Sequence, residues 1–88
     1  MSANTSKTLM VTVNIQKLGI MGGFTLKIEP KYGESVTVPF YQAGEVEMSQ
    51  PTLVPNNFTL DGAKVYLKVL PFNIWKEIPN DTYQLKFE

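Results

Sequence analysis

Side chains that do chemistry are scarce in this sequence, and what is missing narrows the reading first. There is neither histidine nor cysteine. The usual general bases, thiolate nucleophiles and zinc ligands are therefore lacking. Among the acids, Asp61 and Asp81 fall in expected turns, where a short carboxylate caps backbone amides. Glu45 and Glu47 project from one face of a short strand. A hard cation takes about six or more oxygens, and no further cluster lies nearby, so the pair reads as a solvated face. A glycosidase needs two carboxylates across a cleft, for which so small a domain has little room. The chain is expected not to be an enzyme, with no catalytic residue, no metal ligand and no cofactor.

Gly19-Ile20-Met21-Gly22-Gly23 invites comparison with a phosphate-binding loop. Such a loop needs a lysine and a helix N-terminus after it, whereas a strand pattern follows here. What remains is why Ile20 and Met21 sit in a turn. They either fold back over an open end of the core or offer an apolar contact to a partner. Phe72, Ile74, Trp75 and Ile78 crowd one connecting segment and pose the same question, since tryptophan is enriched where proteins bind. Lys64, Tyr66 and Lys68 form a stripe, expected beside Gln84 and Lys86, that reads first as a solvated face, with lysine stems lying over the ring. Its second reading is a stacking surface for glycans or acidic peptides. The candidate partner contacts are thus Ile20, Met21, Tyr66, Phe72, Ile74 and Trp75.

Eight basic side chains, every one of them lysine, balance eight acids. Nucleic-acid affinity is dominated by phosphate neutralisation, with arginine supplying bidentate contacts, so no nucleic-acid partner is expected. Anionic membranes are set aside on the same grounds, and no apolar run is long enough to cross a bilayer. At 88 residues the chain makes one small domain, whose stability must come from apolar packing alone. Its hydrophobic content of 43% can supply that and argues against disorder.

The elements that position these residues are strands. Residues 1–7 read as a flexible polar arm and 8–88 as the domain. Leu9, Val11, Val13 and Ile15 alternate with Met10, Thr12, Asn14 and Gln16 across 8–16, a stretch without charge. At a sheet edge that lack of charge would leave it open to pairing with another chain. Further strands are expected at 24–29, 35–40 and 45–48, with 49–56, which holds Pro51 and Pro55, crossing between sheets. Pro39 suggests an edge or a strand end. Asp61-Gly62 between 58–60 and 63–70 predicts a type I′ hairpin. The last strand is expected at 82–88, with Tyr83, Leu85 and Phe87 on its inner face. About seven short strands, turn signals at regular spacing and no helical periodicity predict an all-β fold. The architecture expected is a small antiparallel β-sandwich, immunoglobulin-like, with a small β-barrel as the alternative.

The segment Pro79-Asn80-Asp81-Thr82-Tyr83-Gln84-Leu85-Lys86-Phe87 resembles a late strand of immunoglobulin-like sandwiches. In these a tyrosine at the turn into the strand returns its hydroxyl to nearby backbone. The resemblance implies a structural corner role for Tyr83. The chain departs from that pattern in having no cysteine pair and in placing Trp75 in a loop. Bacterial pilins and virion decoration domains are similar in this region, so an architecture is implied and not an activity.

The expected function is a non-enzymatic structural or interaction domain, a subunit of a larger assembly such as a virion. Self-association or protein partners would be engaged by pairing of the arm or the 8–16 strand and by docking of Phe72, Ile74 and Trp75. The alternatives are an exported pilin- or adhesin-like subunit and a glycan- or peptide-binding module. The polar start shows no apolar leader, which predicts cytoplasmic synthesis and a place in a particle. Export would require a leader ahead of Met1, and only then would the triplets at Asn4, Asn57 and Asn80 be glycan acceptors.

Overall fold

The computed structural model describes residues 6–20, 23–40, 46–69 and 73–88. Seven strands occur there: Ser6–Asn14 (β1), Phe24–Glu29 (β2), Val36–Phe40 (β3), Glu47–Pro55 (β4), Lys64–Val69 (β5), Lys76–Glu77 (β6) and Tyr83–Phe87 (β7). One sheet has the order β4-β1-β7 and the other β3-β2-β5-β6, with every pairing antiparallel. The protein is an all-β sandwich and not a barrel. Lettered in chain order its sheets run D-A-G and C-B-E-F, where immunoglobulin constant domains pair ABED with CFG. What it shares with that architecture is two packed antiparallel layers of three and four strands.

The alternation in sequence becomes the core. Leu9, Val11 and Val13 of β1 face Phe24, Leu26 and Ile28 of β2, joined by Val38 and Phe40 of β3, Val54 of β4 and Val65 of β5. Phe58 and Ile78 are buried with them from outside the strands. Sheets built this way bury one face and solvate the other.

Several expectations are corrected. β1 lies in the middle of its sheet, with β4 on one side and β7 on the other, so its ladder is filled and its lack of charge reflects burial. It also starts at Ser6, inside the expected arm, while residues 1–5 lie outside the described residues. The stretch expected to cross between sheets is instead most of β4, which follows β1 from Glu47 to Pro55. Residues 58–60 are not a strand; Phe58 N–H donates to Pro55 O at 2.9 Å in a turn that plants the ring in the core. Asp61-Gly62 does turn the chain, with Ala63 N–H donating to Leu60 O at 3.1 Å. Only Gly62 has positive φ, at 79°, which fits type II and not the type I′ of a two-residue hairpin. β6 replaces part of an expected loop, so the count of seven is reached with one strand gained and one lost.

A one-turn helix, Ile15–Leu18 (α1), was also not expected. Asn14 Oδ1 accepts from Lys17 N–H at 3.0 Å, and Gly19, in the left-handed region at φ 68°, donates to Ile15 O and Gln16 O. An asparagine cap and a glycine stop five residues apart outweighed the strand pattern at its end.

Candidate functional site: the outer face of the four-stranded sheet

The register of β2 and β5 dictates what the solvated face of this sheet carries. Lys27 lies opposite Tyr66, Thr25 opposite Lys68 and Glu29 opposite Lys64. β6 adds Glu77 opposite Tyr66, and Trp75 immediately precedes β6. Short as it is, β6 therefore delivers the indole to the lysines. The Lys27 ammonium lies 4.9 Å from the Trp75 ring centroid and 5.0 Å from that of Tyr66. The Lys68 ammonium lies 4.7 Å from the same indole. Contacts of this kind are worth about 0.5–1 kcal/mol each where exposed. They fix one ring between two cations.

The face carries both signs, with Glu29 opposite Lys64 and Glu77 opposite Tyr66. Among the described residues the one ion pair, Lys17 Nζ to Asp81 Oδ2 at 3.8 Å, lies elsewhere and is exposed at both ends. Lys27 and Lys68 thus form no ion pair with a described carboxylate. Ile74, next to the indole, is 72% exposed.

Of the sequence-predicted contacts, Tyr66 and Trp75 are brought together here, with Ile74 beside them, whereas Gln84 and Lys86, expected beside the lysine stripe, lie on β7 in the other sheet. Ile20 packs against the core, and Met21 and Phe72 lie outside the described residues. Lys27 was missed. Its outward phase between Leu26 and Ile28 was legible, but the cross-strand partner that gives it meaning comes from a register forty residues away in the chain.

A second concavity of about 420 Å³ is lined by Glu77, Ile78, Pro79, Asn80, Ala63 and Tyr83. Burial first, and the Glu77 charge second, push the Tyr83 hydroxyl above its ordinary value. A phenol held protonated in this way is a poor base at neutral pH. It makes no hydrogen bond among the described residues. The side-chain-to-backbone closure at this corner comes from Thr82, 6% exposed, whose hydroxyl donates to Pro79 O at 2.6 Å. Glu47 is exposed, and Glu45 lies outside the described residues. Among the described residues no group of three or more histidines, cysteines or acids gathers.

Comparison with protein families, curated proteins and solved structures finds no match to this chain.

Proposed function

We propose that the chain is a non-catalytic interaction domain, a structural subunit of a larger protein assembly such as a virion. It docks an acidic segment of a partner protein on the outer face of its four-stranded sheet. One observation carries this reading: the Trp75 indole held between the ammonium groups of Lys27 and Lys68, neither paired with a described carboxylate. A tryptophan with exposed Ile74 beside it supplies the apolar anchor, and the two cations select for negative charge around it.

Titration with an oligo-glutamate peptide, followed by Trp75 fluorescence, tests it. Trp75 is the only tryptophan, so the signal reports this face alone. The expected result is a saturable change that weakens with salt and is lost in Lys27→Ala/Lys68→Ala. A flat titration in low salt would refute the acidic-partner reading.

A glycan-binding module is the second reading, favoured by the Tyr66 and Trp75 rings lying 5.0 and 4.9 Å from the one Lys27 ammonium. Neutral oligosaccharides that perturb Trp75 equally well in Lys27→Ala/Lys68→Ala would favour it over the first.

A further inference from the structure

We infer that β7, which has a strand on one side only among the described residues, is built to pair antiparallel with β7 of a second copy, about a two-fold axis at Leu85. The inference is independent of the outer face of the four-stranded sheet. It follows from which way the backbone groups of each edge strand point.

In an extended strand the N–H and C=O of one residue turn to the same side, and successive residues alternate. Asn14 N–H donates to Thr82 O and Glu88 N–H donates to Thr8 O, so even-numbered residues around β7 turn toward β1. Tyr83, Leu85 and Phe87 therefore turn their amides and carbonyls to the outside. On the opposite edge of this sheet, Ile15 N–H donates to Val46 O, which makes the even residues of β4 face β1. Pro51 and Pro55 are then the positions whose amides would have pointed outward, and proline removes both. In the other sheet, Ile78 N–H donates to Val65 O. Carried through β5 and β2, that bond turns Pro39 of β3 outward. Its amide is absent and its carbonyl accepts from Gln50 Nε2 at 2.9 Å. β6 has two residues only. Proline, short length and lysine are among the devices by which natural sheets stop edge pairing, and three edges here use proline or short length. β7 has neither of those two, and Lys86 is its one charge.

The side chains of β7 are complementary to themselves in that register. With Leu85 opposite Leu85 of the second copy, Tyr83 falls opposite Phe87 and Gln84 opposite Lys86. Every outward amide and carbonyl of Tyr83, Leu85 and Phe87 then finds a partner. A register shifted to Lys86 would set lysine against lysine, which is unfavourable. The result is one continuous six-stranded sheet across an isologous two-fold interface.

Gln84 and Lys86 are exposed and contribute nothing to the core, so charge changes there test pairing without unfolding the domain. Sedimentation velocity over a concentration series should show a monomer–dimer equilibrium. Gln84→Lys places lysine opposite lysine twice and should raise the dimer Kd by roughly tenfold. Gln84→Lys/Lys86→Glu restores opposite charges and should bring the Kd back. Amide exchange at Tyr83, Leu85 and Phe87 should slow as concentration rises. A monomer at every concentration would overturn the inference, as would a dimer indifferent to Gln84→Lys. So would slow exchange at these amides in dilute monomer, which would mean that the chain's own N-terminal residues or another segment already cover the edge.

Discussion

Gln50 of β4 donates its side-chain amide to the carbonyl of Pro39 in β3 at 2.9 Å, joining an edge strand of one sheet to an edge strand of the other. Pro39 has no amide to offer, and its carbonyl points away from β2, so Gln50 answers a group that the ladder cannot reach. Gln50 itself is half-buried opposite Val11, at the border between core and edge. Gln50→Ala removes the bond while water can still reach the carbonyl. The expected loss is about 1 kcal/mol, read as a lower urea midpoint with unchanged slope. An unchanged midpoint would show that the bond does not tie the layers.

Phe24 and Phe40 face one another across β2 and β3 with ring centroids 5.0 Å apart and planes 4° from parallel. Both are buried, and Phe40 is fully so. Phe40→Ala should cost about 3–5 kcal/mol, through lost transfer energy and the cavity left behind. For a domain of this size that is a large share of the whole stability. Partial unfolding at room temperature, visible by amide exchange across β2 and β3, is the expected outcome. A variant that melts like the parent would mean the ring is not part of the core.

The layers were legible because their central strands are half-buried along their whole length. In β1 the buried Leu9, Val11 and Val13, and in β2 Phe24, Leu26 and Ile28, are in phase with the pleat, so period two survives in the sequence. β4 beyond Met48 was illegible for a physical reason. As an edge strand it mixes Ser49, Gln50 and Thr52 with two prolines placed where no amide is needed, a composition that reads as a loop. Phe58-Thr59-Leu60 misled in the opposite direction, since one buried ring inside a turn mimics the start of a strand. The lysine–indole cluster was half visible. Tyr66 and Trp75 stand out by type, but Lys27 joins them only through a register that local pattern does not contain.

The helical turn at Ile15–Leu18 makes a further prediction. Asn14 caps it with one side-chain bond, and Gly19 closes it in a conformation that a Cβ disfavours. Asn14→Ala should cost about 1 kcal/mol. Gly19→Ala should cost a similar amount through backbone strain alone, because nothing lies within 4 Å of the added carbon. Urea midpoints of both variants check this, and a neutral Gly19→Ala would refute the strain argument.

Tyr83 ties stability to alkaline pH. Burial first and Glu77 second raise its hydroxyl above the ordinary value of about 10. The folded chain therefore keeps the phenolic proton at a pH where the unfolded chain releases it. Native protein then binds more protons than unfolded protein, so stability falls as pH rises. The contribution is complete below a pH of about 10 and disappears as pH climbs through the raised folded value. Tyr83→Phe lacks this proton, so its stability should decline less steeply than the parent's over that window. Glu77→Gln should show an intermediate slope, because it removes the smaller cause and leaves burial in place. The parent and Tyr83→Phe differ in this hydroxyl alone, so the difference between their slopes isolates Tyr83. Urea unfolding across an alkaline series, with tyrosinate absorbance recorded alongside, provides both readouts. Parallel slopes for the parent and Tyr83→Phe would show that the hydroxyl titrates as freely in the folded chain as in the unfolded one.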